Sequence, residues 1–141
     1  AGANREAKPA DVAAAKGETV LVVEDDPKVL RLTVTRLEEL GYQVISATNG
    51  PKAMDILKQQ LDIDLVLTDV VMPGGMTGFD VADQALALRP DLKILLATGY
   101  AKGVEPRDEA SAKTDHSILR KPYGMKELAR TLRELLDGSA L

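Results

Sequence analysis

The sequence predicts a doubly wound α/β domain, a five-stranded parallel sheet with helices on both faces. Three observations predict it. Short apolar runs rich in β-branched residues alternate with stretches in which apolar residues recur every three or four positions. The connections between runs are too long for hairpins, so the strands are parallel and joined by helical crossovers. The runs are apolar almost throughout, which marks strands buried on both faces.

Residues 1–17, AGANREAKPADVAAAKG, hold no large aliphatic side chain beyond Val12. They cannot bury much surface and read as a linker or tail, with the folded domain over 18–138. TVLVVE (19–24) is the first strand. From 27 to 40, Leu30, Val34 and Leu37 make a helical stripe, and Gly41 stops it. YQVISA (42–47) is the second strand. Residues 51–60 form a second helix, with Pro51 near its start and Ala53, Ile56 and Leu57 inward. IDLVLTD (63–69) is the third strand. Thr77-Gly78-Phe79-Asp80 has capping-box spacing and opens a helix to Leu88, which Pro90 ends. LKILLAT (92–98) and HSILRK (116–121) are the fourth and fifth strands. A last helix over 125–136 carries Met125, Leu128, Leu132 and Leu135 on one face. Between the last two strands, residues 99–115 offer only Tyr100 and Val104 as large apolar groups, so a helix there is expected to be short or mobile.

Composition removes several classes of function. The 141 residues suit one domain. Lys and Arg number 18 against 22 Asp and Glu, a net charge of −4, and no basic cluster exceeds a pair. That balance argues against a nucleic-acid partner. The absence of cysteine excludes disulfides, thiolate metal sites and thiol catalysis. The single histidine, His116, excludes a multi-histidine metal site and reads as an exposed strand-edge residue. No apolar run approaches the ~20 residues of a membrane helix, and the N-terminus lacks a secretory apolar core. The expectation is a cytoplasmic protein with no direct membrane contact.

Ligands of such sheets bind beyond the carboxyl ends of the strands. The first strand ends in Glu24-Asp25-Asp26, the third in Asp69, the fourth in Thr98-Gly99 and the fifth in Lys121-Pro122. Carboxylates crowded into a partly dry crevice repel one another, and a divalent cation offsets that cost. An all-oxygen donor set suits Mg²⁺, which keeps some of its waters and favours phosphate as a co-ligand. Lys121 supplies a charge that keeps Asp69 ionised and can meet a phosphoryl oxygen, and Thr98 adds a hydroxyl donor. This is the equipment of phosphoryl transfer, with Asp69 as nucleophile. Asp26 reads as the N-cap of the first helix rather than as a ligand, and Met54, Met72, Met76 and Met125 read as packing residues.

VLVVEDDP, LVLTDVVMPGG, LLATGYA and LRKPY resemble, in this order, the four signatures of the receiver domain of two-component signalling. The resemblance covers residues 18 to about 137. It implies a flavodoxin-like fold and an aspartyl phosphate formed on Asp69 with Mg²⁺. It also implies that Glu24 and Asp25 are the acid pair of the metal site, Asp25 being the direct ligand, and that the backbone carbonyl of Val71 is a further ligand. Thr98 matches the hydroxyl that contacts the phosphoryl group, and Lys121 the lysine that pairs with it, followed by Pro122. Ile118 stands where receivers often carry an aromatic residue, and the loop after Pro73 is one glycine longer than the commonest form. The implied partners are a histidine kinase domain or a histidine phosphotransfer protein, with a homodimer on phosphorylation as a further state. The style of the sequence resembles the receiver of a hybrid histidine kinase; the alternatives are a stand-alone single-domain regulator and a pseudo-receiver that binds partners unphosphorylated. A haloacid-dehalogenase-like phosphatase would use a similar residue set, but with its nucleophile on the first strand in an Asp-x-Asp motif.

Overall fold

The three central apolar runs, 19–23, 65–69 and 93–98, bury both of their faces as strands, whereas the edge runs 43–47 and 117–120 are covered only in part, which the sequence expectation of strands buried on both faces did not separate. In the computed structural model, which describes residues 14–60, 62–72, 76–98 and 117–138, the elements follow in the order β1 (Thr19–Val23), α1 (Pro27–Glu39), β2 (Gln43–Ala47), α2 (Gly50–Gln59), β3 (Leu65–Asp69), α3 (Gly78–Leu88), β4 (Lys93–Thr98), β5 (Ser117–Arg120) and α4 (Met125–Asp137). All neighbouring strands are parallel, in the order β2-β1-β3-β4-β5. The chain reverses its direction of winding between β1 and β3, which places the crevice of the fold at their carboxyl ends.

Strand alternation divides the core in two. Leu21, Val23, Val66, Ile94 and Leu96 face α2 and α3, where they meet Ala53, Leu57, Val81 and Ala85. Val20, Val22, Leu65, Leu67, Leu95, Ala97 and Leu119 face α1 and α4, against Leu37, Leu128, Ala129 and Leu132. Ile118 is half-buried and packs with the first group. Met54 and Met72 are buried, and Met76 and Met125 pack at the edges of the two cores.

The helices start and stop for local reasons. Asp26 caps α1, its carboxylate accepting from the backbone N–H groups of Lys28 at 2.9 Å and Val29 at 3.3 Å, with Pro27 in the first turn. Gly41 ends the same helix region at φ 98°, a conformation a side chain would strain. Thr77 and Asp80 form the capping box of α3 with reciprocal bonds of 3.2 and 2.9 Å. One inward stripe differs from the sequence expectation. In α1 the buried positions are Thr33 and Leu37, while Val34 lies on the half-buried flank. With Leu30 partly buried, the stripe runs 30-33-37-40, and periodicity admits a threonine that a hydrophobic count passes over.

Far from the crevice, Arg133 of α4 is 8% exposed. It donates to both oxygens of Glu18, at 3.0 and 2.9 Å, to the Tyr42 hydroxyl at 3.3 Å, and to Asp137 one turn on. The guanidinium holds the Glu18 carboxyl down at about 2. Lys16 reaches Asp137 at 3.7 Å, and the Ala15 N–H donates to the Leu40 carbonyl at 2.9 Å.

Expectations for residues 1–13, for Pro73-Gly74-Gly75, for residues 99–115 including Tyr100, and for His116 lie outside the described residues. Among the described residues, no helix is long and apolar enough to cross a membrane.

Candidate functional site

Parity and register bring the polar strand ends together. Glu24 continues the row of Val20 and Val22, Asp69 that of Leu65 and Leu67, and Lys121 follows Leu119 by two, so all three continue the face toward α1 and α4. The ladder pairs Val23 with Thr68, which sets Glu24 and Asp69 side by side one step further on. Glu24 is held there by its N–H bond to the Ala47 carbonyl, 3.1 Å. Asp69 pairs with Ala97, and Ala97 with Leu119. Ala97 therefore sits in the row between the aspartate and β5, and its single methyl leaves room for the arm of Lys121 to cross β4.

The outcome is a compact charged cluster. Glu24, Asp25 and Asp69 each place a carboxylate oxygen within 4.8 Å of the others. The Lys121 ammonium lies 3.4 Å from Glu24 Oε1 and 3.4 Å from Asp69 Oδ1. The other oxygen of Glu24 accepts the backbone N–H of Asp26 at 3.1 Å, so the residue that caps α1 also orients the buried acid of the cluster. Thr98 is buried at the end of β4, and its carbonyl accepts the Lys121 N–H at 2.8 Å. Val71, two residues past Asp69, leaves half its surface exposed.

Burial works against the charges. It pushes the Glu24 carboxyl above the ordinary range, with Asp69 adding to the push, against the pull of the Asp26 N–H and of Lys121. Asp69 is likewise raised, first by burial and further by Asp25, while Lys121 pulls it back. For Lys121, burial opposes the charge, but the Asp69 and Glu24 carboxylates outweigh it and hold the ammonium above the usual lysine value. Three converging carboxylates with no nitrogen or sulfur donor fit a hard divalent cation. The acids that burial disfavours are the ones such an ion would stabilise.

Two features were not drawn from the sequence. Gly78 opens α3 directly against the carbonyl of Asp69 and the Cα of Val70; a Cβ there would collide with both. Its N–H donates to the Val70 carbonyl at 2.9 Å, which fixes the chain just beyond Asp69. A glycine inside a capping box, where no turn asks for one, was the available signal. The second is Arg36, whose Nη1 donates to the Tyr123 carbonyl at 3.3 Å, a contact across 87 positions that no local pattern encodes.

Comparison with known proteins matches this arrangement to a family. The pattern of the response regulator receiver domain fits residues 20–133. The response regulator receiver protein CpdR of Brucella abortus (strain 2308) is 36% identical over 117 residues, 83% of this chain and 95% of that protein. The sensor kinase CckA of the same organism is 35% identical over 120 residues, 84% of this chain but only 12% of the kinase. Among solved structures, the response regulator protein TrrA of Thermotoga maritima, in complex with Mg²⁺-BeF, aligns with a TM-score of 0.74 and 32% identity over 84% of this chain and 99% of that one. The match spans the sheet, both cores and every strand end of the cluster, and this chain belongs to the receiver domain family of two-component response regulators.

Proposed function

We propose that the chain is the phospho-accepting receiver of a two-component phosphorelay, with Asp69 as the acceptor. The observation that carries this reading is the convergence of the Glu24, Asp25 and Asp69 oxygens within 4.8 Å, with the Lys121 ammonium 3.4 Å from two of those acids. The donor is a phosphohistidine of a histidine kinase domain or a histidine phosphotransfer protein. An Asp69 carboxylate oxygen attacks phosphorus, the P–N bond breaks, and the imidazole leaves with the bonding pair. Lys121 then neutralises a phosphoryl oxygen in place of the Asp69 oxygen it now holds, and the Thr98 hydroxyl donates to another. Water attacking phosphorus returns the carboxylate and releases inorganic phosphate.

Mg²⁺ suits the donor set; held by Asp25, Asp69 and the Val71 carbonyl, with Glu24 behind, it would screen the negative charge gathered by nucleophile and phosphoryl group. The Mg²⁺-BeF complex of TrrA supports the same assignment.

Two settings for the receiver have relatives of nearly equal identity: the hybrid kinase, through CckA at 35%, and the single-domain regulator, through CpdR at 36%. The length of the native polypeptide separates them. The chemistry is tested by peptide mass spectrometry after treatment with acetyl phosphate, with and without Mg²⁺. One phosphoryl group should appear on the peptide containing Asp69, and only with the metal present. An unlabelled protein would favour the pseudo-receiver reading, and a label elsewhere would displace Asp69. Gel filtration of labelled and unlabelled protein tests the homodimer.

A further inference from the structure

Lys121 stands on a short mount. It leaves β5, a four-residue strand that among the described residues pairs only with β4. Its N–H bond to Thr98 is the last rung of that ladder. Both contacts of its ammonium are 3.4 Å long, at the loose end of the hydrogen-bond range, so they do not by themselves fix the arm. On the far side, the loop runs through Pro122, Tyr123 and Gly124 into α4, whose N-terminus has no side-chain cap.

Arg36 supplies what the loop lacks. Its guanidinium donates to the Tyr123 carbonyl at 3.3 Å and lies 5.8 Å from the centroid of the same residue's ring. Both contacts grip one residue, two positions past the lysine. Arg36 belongs to α1, and α1 begins at the Asp26 cap, immediately after Glu24 and Asp25. The arginine therefore ties the loop that carries the lysine to the helix that leaves the acid pair.

We propose that Arg36 is a positioning residue for Lys121, setting the loop 121–124 so that the ammonium stays on Glu24 and Asp69. The significance of that position rests on the receiver reading; the positioning itself does not. A plain structural role for Arg36 would lower stability without singling out Lys121, and the test separates the two.

In the metal-free protein, NMR of the lysine ε-methylene groups reports on the arm directly. A held lysine has inequivalent ε protons, and a free one does not. Arg36→Met should move the Lys121 signal toward that of a solvent lysine and leave those of Lys52, Lys58 and Lys93 in place. Arg36→Lys should restore part of the splitting, since an ammonium can also donate to the carbonyl and sit over the ring. Arg36→Gln gives a second neutral variant with the same expectation as Arg36→Met. An unchanged Lys121 signal, or an equal change at every lysine, overturns the proposal. With acetyl phosphate and Mg²⁺, Arg36→Met should slow labelling of Asp69 roughly three- to tenfold, and have no further effect in a Lys121→Ala background, as coupled residues require. Additive losses would also overturn it. If the wild type takes no label, the receiver reading fails, while the NMR result still decides the role of Arg36.

Discussion

In the proposed chemistry Asp69 must stay ionised where burial works against it, and the Lys121 ammonium counters part of that cost. A carboxyl whose value is raised by folding costs stability while ionised, and the cost is relieved as pH falls. Asp69→Asn should therefore abolish aspartyl phosphate formation and, in EDTA, unfold at a higher temperature than the wild type, a gain on the order of 1 kcal/mol. A lower melting temperature would mean that the Lys121 contact outweighs burial. Lys121→Ala should leave Mg²⁺ affinity largely intact, by calorimetry, while slowing phosphorylation; equal loss of metal binding would show the lysine to be part of the metal site. The convergence of these polar groups was legible at this scale because apolar strands ending in Glu24-Asp25, Asp69, Thr98 and Lys121 leave them few other places to go. The grip of Arg36 on Tyr123 was not, since nothing near either residue announces the other.

Helices and strands reproduce the sequence expectation to within about two residues at their ends, because caps and stops are written locally. Asp26 and the Thr77–Asp80 box fix the starts of α1 and α3, and Gly41 closes the turn after α1. The third strand begins at Leu65 rather than 63; Ile63 is buried, but its carbonyl accepts the Arg89 guanidinium at 2.7 Å. Apolar character alone cannot distinguish such a residue from a strand member. The seam between β3 and α3 carries its own prediction. Gly78→Ala must push against the backbone at Asp69 and Val70, which cannot yield as a side chain tip would. The variant should lose about 1–3 kcal/mol in denaturant unfolding and label Asp69 more slowly than the wild type. Equal labelling rates would show that the seam gives way without disturbing the acceptor.

Across the whole molecule, the strand order was not spelled out by the residues, but the division into two cores follows from parity, and parity was visible in the sequence. The salt-bridged knot at the opposite rim was not, because Arg133 and Glu18 stand 115 positions apart. Arg133→Met takes the guanidinium from two carboxylates, Glu18 and Asp137, and from the buried Tyr42 hydroxyl, and should cost about 2 kcal/mol or more by chemical denaturation. The Glu18 carboxyl is depressed from 4.5 to about 2 in the fold, so its contribution is complete above pH 4.5 and fades as pH falls toward 2. The stability gap between wild type and Glu18→Gln should be constant from pH 7 to 5 and narrow below that; a gap unchanged at low pH would mean that the pair does not form. The knot also decides how the domain can be handled. It fastens the approach to β1 and the last turn of α4 to each other, at the amino ends of the strands, with the acidic crevice at their carboxyl ends. A fluorophore or surface tether attached beside the knot, at Lys16 or Gly138, would thus sit at the rear of the sheet, away from the mouth that in the proposed relay receives the donor histidine.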